Sequence, residues 1–275
     1  MSHTRNLLAS EVAKQVRRAL VVDSAPASAR MVAELLKTLG VGAIHLETSG
    51  SGALRACEQL EPQVIFTELT GPRLNGLDLV RSLRRGDLAC RKAPVVMITA
   101  GATAAAIIAA RDCGVHEFLR RPFTLGQLAK RLEAVMLHPR EWIEAISYVG
   151  PDRRRFNAGD YKGPLKRLAD HPQPADAERI RQALTILKAA IPAIETQPAQ
   201  ALRSMQAQAA ALKACAMAGA NLRLTMAVAA FQRSLQASVD SGKLVRGDIE
   251  SGAVGLWAFD TGEVVGDDML NMLEL

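Results

Sequence analysis

Val64-Ile65-Phe66-Thr67-Glu68-Leu69-Thr70-Gly71-Pro72-Arg73-Leu74-Asn75-Gly76 is the stretch on which the fold turns. Val64, Ile65, Phe66 and Thr67 favour a pleated environment. They do not alternate with polar residues, so the strand they form is expected to be covered on both faces, as in a parallel sheet. The run ends on an acidic side chain, then a Gly-Pro turn and a second glycine. It would deliver the Glu68 carboxylate to the carboxyl edge of the sheet, where open α/β folds keep their sites.

Outward from this strand the same grammar repeats. Short β-branched runs at 19–22, 43–47, 64–67, 95–98 and 117–119 alternate with amphipathic stretches near 26–39, 50–60, 76–85, 102–113 and 124–137. Such alternation predicts an α/β domain, a five-stranded parallel doubly wound sheet of flavodoxin type with right-handed crossovers. At 275 residues the chain has room for a second core. Hydrophobic residues make up 49% and the net charge is +6, a modest excess that by itself does not argue for nucleic acid. No apolar run reaches the roughly 18 residues of a membrane span. Residues 1–18 are interrupted by Glu11, Lys14, Arg17 and Arg18, unlike a signal peptide. Cys57, Cys90, Cys113 and Cys215 are scattered without ligand spacing and read as reduced thiols of a cytoplasmic protein.

Several landmarks within 18–138 occur in a telling order. Leu20-Val21-Val22-Asp23 opens the segment, Pro72 and Gly76 follow the central strand, and Val96-Met97-Ile98-Thr99-Ala100 forms the fourth run. Gly114 through Phe118 and Arg121-Pro122-Phe123 close it. This segment resembles the receiver (CheY-like) domain of bacterial response regulators. The resemblance implies a signalling domain in a two-component phosphorelay, non-enzymatic, with histidine kinases or related proteins as partners. It also implies a pocket where an Asp nucleophile, an acidic pair holding Mg²⁺ and a lysine act together in phosphoryl transfer.

Against that pattern the pocket here is degenerate. The acidic pair reads Asp23-Ser24, so one carboxylate is replaced by a hydroxyl, and Mg²⁺ binding is expected to be weak or absent. Glu68 stands at the nucleophile position with one more methylene, about 1.5 Å of extra reach, where a misplacement near 1 Å can cost about 10²-fold. Arg121 replaces the lysine with a planar fork. A bidentate Arg121–Glu68 pair is the expectation, since the fork fits a carboxylate. Thr99 and Phe118 match the switch hydroxyl and aromatic, and with Pro122 they mark an expected docking face beside the fourth and fifth helices. No catalytic residue, cofactor or metal site is assigned. The pattern reads as a non-phosphorylatable pseudo-receiver acting as a protein-interaction adaptor. The plainer reading makes Asp23, Glu68 and Arg121 an ion cluster in a scaffold.

The flanks complete the organisation. Residues 1–17 read as an N-terminal helical extension, with Leu8, Val12 and Val16 at helical spacing. Residues 139–175 read as a basic Gly-Pro arm in which Tyr148-Val149-Gly150-Pro151 is echoed by Tyr161-Lys162-Gly163-Pro164. Each copy precedes a basic cluster, Arg153/Arg154/Arg155 and then Lys166/Arg167. Aromatic and basic residues together could stack on and pair with nucleic acid or a nucleotide, the alternative reading of 148–168. Docking on the protein itself or on another protein is the favoured one, with acidic residues from Asp248 to Asp268 as a ready intramolecular partner.

Residues 176–275 read as an all-α bundle. Its stripes are Ile180, Leu184, Leu187, Ile191 and Ile194, then Leu202, Met205, Ala209, Leu212 and Ala216, then Leu224, Val228, Phe231, Leu235 and Val239. Pro192 is expected to kink or end the first helix, and a shorter helix from about Asp248 to Phe259 would close the bundle. The alanine-rich faces also suit a homodimer. His171 precedes a proline, so the bundle does not read as a histidine phosphotransfer domain, and no recognition helix is evident.

Overall fold

The computed structural model describes residues 12, 13, 15–153 and 175–260. These divide into two compact units, one holding residues through Ile143 together with 148–153, the other holding 144–147 and 175–260.

The first unit is built on five parallel strands in the order β2-β1-β3-β6-β7: β1 (Arg18–Val22), β2 (Ala43–Glu47), β3 (Val64–Glu68), β6 (Val95–Thr99) and β7 (Glu117–Arg120). Two residue pairs, β4 (Thr70–Gly71) and β5 (Leu74–Asn75), form a small antiparallel ladder after β3. The crossovers are α1 (Pro26–Leu39), α2 (Gly50–Leu60), α3 (Gly76–Arg85), α4 (Ala104–Asp112) and α5 (Leu125–Leu137). Period two divides the central strands between two cores. Val21, Phe66, Val96 and Ile98 pack with α1 and α5, while Leu20, Ile65, Met97 and Phe118 pack with α2, α3 and α4. Local chemistry sets the helix starts. Pro26 opens α1, Asn75 accepts from the amides of Leu77 and Asp78, and Thr124 and Gln127 form a capping box for α5.

Val12 and Val16 are buried, as their spacing predicts; Leu8 lies outside the described residues. The reading of 139–153 as the start of an arm is corrected. Short strands β8 (Trp142–Glu144) and β9 (Val149–Pro151) form a two-stranded sheet, and Tyr148 and Val149 are buried. What holds them is a cation that sequence reading would place on a solvated face. Arg84, on α3, is 1% exposed. Its guanidinium donates to the carbonyls of Gly114 (3.1 Å), Arg91 (2.5 Å) and Ala93 (3.0 Å), and it lies 5.3 Å from the Trp142 ring centroid. Burial lowers its pKa to about 10, so it remains charged near neutrality.

Nδ1 of His116 accepts from Arg84 (3.3 Å) and from the Val95 amide (3.3 Å), which assigns the proton of a neutral ring to Nε2. Arg140 donates to the His116 carbonyl. Burial, then the charges of Arg84 and Arg140, hold the His116 pKa well below 6.5.

The second unit contains α6 (Ala175–Ala190), α7 (Pro198–Ala218), α8 (Leu222–Asp240) and α9 (Arg246–Ala253), with 3₁₀ turns at Pro192–Glu195 and Val254–Phe259. Leu184, Leu187, Met205, Leu212, Leu224, Val228, Phe231, Ile249 and Leu256 fill its core. Pro192 ends α6 and opens a 3₁₀ turn. One stripe position and one helix boundary depart from expectation: Val239 is 38% exposed, and the closing helix gives way to 3₁₀ geometry at Val254. Residues 144–147 are held by α7, where Ser204 and Gln208 donate to the Glu144 carbonyl (2.8 and 3.1 Å). Among the described residues no helix is long and apolar enough to cross a membrane.

His116 sets a pH signature. Its folded pKa is depressed, so below pH 6.5 the unfolded chain binds the extra proton. Stability is therefore full above pH 6.5 and falls as pH drops towards the folded pKa, with a limiting slope of about 1.4 kcal/mol per pH unit. Urea midpoints measured from pH 7.5 to 5 should show this fall, and His116→Gln should flatten it.

Candidate functional site

Register brings the pocket together. Val22 pairs with Thr67 and Glu68 with Ile98, while Thr99 pairs with Arg120. The residues that follow or end these strands, Asp23, Ser24, Glu68, Thr99 and Arg121, therefore gather at one carboxyl edge. Two glycines make the edge tight. A Cβ on Gly71 would collide with Ser24 and approach Glu68 Oε2 (2.9 Å), and one on Gly76 would collide with the Glu68 carbonyl.

Asp23 is 2% exposed and both its oxygens are engaged. Oδ1 accepts from the Ala25 amide (2.9 Å), and Oδ2 accepts from Ser28 Oγ (2.6 Å) and Arg121 Nη2 (2.6 Å). Glu68 accepts at Oε2 from Ser24 Oγ (2.8 Å) and the Ser24 amide (3.3 Å). The expected bidentate Arg121–Glu68 pair is thus corrected: the fork is split, with Nη2 on Asp23 and Nη1 3.8 Å from Glu68 Oε1. Ser24 is the reason, since its hydroxyl and amide reach Glu68 across the β1–β3 neighbourhood and orient the carboxylate. Ser28 was missed from the sequence, although its place five residues after Asp23, at the start of α1, is a local signal.

Thr99 is 6% exposed and accepts from the Gly101 amide (3.1 Å). Its carbonyl accepts from the Arg121 amide (2.8 Å), and the Arg121–Pro122 peptide is cis. Phe118, placed by its sequence position on a docking face, is only 5% exposed and lies among apolar residues of α4's side of the sheet. With exposed Pro122 it lines a cavity of about 670 Å³ bounded also by Ile107, Arg120, Gln127 and Lys130. The aromatic therefore supports the face as a wall instead of projecting from it.

Of the basic-arm residues, Arg153 alone is described. It bonds Asp112 (3.2 Å) and stacks 4.5 Å from the Tyr148 ring centroid. Partial burial raises the Asp112 pKa, but bonds from Arg111 and Arg153 outweigh it and hold the carboxyl below its ordinary value. Arg154, Arg155, Lys162, Lys166 and Arg167 lie outside the described residues.

Comparison with known proteins agrees with this geometry. The response regulator receiver domain family matches residues 19–133. Chemotaxis protein CheY1 of Helicobacter pylori is 31% identical over 118 residues, which cover 42% of this chain and 94% of that protein. The chain belongs to the response regulator receiver family. Within it, chemotaxis protein CheY-3 of Vibrio cholerae is 31% identical over 116 residues, covering 42% of this chain and 88% of the relative. A receiver-domain crystal structure from Bermanella marisrubri has 27% identity and a TM-score of 0.41, covering 45% of this chain and 99% of its own. The receiver is a two-component signalling domain, and a helical region of several helices follows it.

The family pocket implies Mg²⁺, and the residues present do not fit it. Both Asp23 oxygens are bonded, Ser24 supplies a hydroxyl in place of a carboxylate, and that hydroxyl is spent on Glu68. An ion preferring octahedral oxygen ligands would have to break this network before binding.

The network also sets a stability prediction. Removing the Arg121 charge leaves a buried Asp23 carboxylate with hydroxyl and amide donors alone. Arg121→Met should lower unfolding stability by about 2–4 kcal/mol, Arg121→Lys by less, and Asp23→Asn should cost less in the Arg121→Met background than in the native protein. Urea denaturation reads all four.

Proposed function

We propose that this receiver is non-phosphorylatable and works as a protein-interaction adaptor in two-component signalling. One observation carries the reading: the split Arg121 fork and Ser24 close the pocket on itself, engaging Asp23 and Glu68 with donors from the protein. Phosphotransfer would need an acceptor carboxylate at the right depth, a metal and a cation free to follow the phosphoryl oxygens. Glu68 is too long, the metal ligands are occupied, and Arg121 is committed to Asp23.

Without that chemistry, regulation passes to binding. Arg121 beside two carboxylates holds the charge pattern of one fixed state, and the face around Phe118, Pro122, α4 and α5 is the proposed docking surface. Histidine kinases or related two-component proteins are the proposed partners, in the cytoplasm. Pairing of Arg153 with Asp112 and Tyr148 lends no support to the nucleic-acid reading, because that guanidinium is already used.

A nuclease-treated pull-down from the source cells tests this. Full-length protein should retain specific signalling proteins. An Arg120→Glu, Lys130→Glu variant should lose at least tenfold of that recovery, and Arg153, Arg154 and Arg155 changed together to Ala should not. If nucleic acid co-purifies without nuclease, vanishes in the triple Ala variant and leaves no specific protein behind, the adaptor reading fails.

A further inference from the structure

The second unit carries an apolar face that its own described helices leave open. Met217, near the end of α7, and Leu222 and Met226, at the start of α8, are 68%, 71% and 65% exposed. Leu222 and Met226 lie one turn apart on α8. A tight turn joins the two helices, with the Ala220 amide donating to the Met217 carbonyl (3.3 Å). This face is also one-signed. Residues 198–239 contain Arg203, Lys213, Arg223 and Arg233 and no acidic residue.

The chain that follows Asp260 has the complementary chemistry. Residues 261–275 carry Glu263, Asp267, Asp268 and Glu274 and no basic residue. Met269, Met272 and Leu273 fall at the three-and-four spacing of one helical face, with Asp268 and Asn271 off it. The described chain is also heading the right way. A Cβ on Gly252 would collide with Ser234 and one on Gly255 would lie 3.3 Å from the Ala227 Cβ, so the last helical turns run back along α8 towards its N-terminal residues. Lys188 pairs with Asp260 and fixes where the segment departs. The eight residues 261–268 can span up to roughly 28 Å.

We propose that residues 267–275 dock in cis on the basic, apolar face formed by Met217, Leu222 and Met226 with Lys213, Arg223 and Arg233. Apolar side chains cover the three exposed residues, and the acidic ones face Lys213, Arg223 and Arg233. The segment thereby shields the apolar end of the helical unit from a second copy.

Full-length protein carrying a photo-crosslinking phenylalanine analogue at Met226 tests the proposal, with the captured peptide and the species mass read by mass spectrometry. Capture of a peptide from 261–275 within a monomeric species is expected. Hydrogen exchange of 217–226 should also accelerate at least tenfold in a Met269→Asp, Leu273→Asp variant, which alters nothing in the described core. Capture of that peptide only across two chains assigns the face to a dimer and overturns docking in cis. No capture of the segment, with exchange unchanged in the variant, overturns it as well.

Discussion

Everything at the carboxyl edge of the sheet depends on how one guanidinium is shared between two carboxylates. Asp23 is almost wholly buried, and an ionised carboxylate there needs donors on both oxygens. The first residues of α1 supply two, the Ala25 amide and Ser28, and Arg121 supplies the charge. Glu68 sits farther from that charge, at 3.8 Å, and relies on Ser24. An exposed ion pair would be worth little; this one is enclosed, so its value lies in avoiding an unpaired buried charge. The network ties β1, β3 and the loop after β7 together. It also engages Asp23, Ser24, Glu68 and Arg121 with one another.

At the other edge of the sheet the same physics works with the opposite sign. Arg84 is a buried cation met by carbonyl oxygens, a neutral imidazole and an aromatic face. These partners come from three different segments, so the charge fastens the turn before β7, the 3₁₀ turn at Ala89–Lys92 and the residues around Trp142. The receiver unit thus extends past the end of α5, through Ile143 and again over 148–153, while 144–147 belong to the second unit.

How much of this could be read from sequence follows from the range of the interactions. Strands such as Val64–Glu68 announce themselves because both faces are buried, and Pro26, Asn75 and Thr124 mark helix starts by local chemistry. The pocket's membership was legible too, since parallel strands deliver their ends to one edge. The partners were not. Ser24 captures Glu68 across 44 positions, a contact fixed by strand order and invisible to spacing. Strands β8 and β9, three residues each, have too few positions to show a period, and Arg84 reads as surface charge in Arg81-Ser82-Leu83-Arg84-Arg85. Phe118 was expected on a docking face, and only packing reveals that it is a wall of the α4–α5 cavity.

The central claim is that this closed network excludes phosphoryl transfer, and intact mass after incubation with Mg²⁺ and acetyl phosphate tests it directly. The native chain should gain nothing, while a variant with Ser24→Asp, Glu68→Asp and Arg121→Lys together should gain the mass of one phosphoryl group. A stable phosphoryl gain on the native chain, lost in Glu68→Gln, would contradict the account.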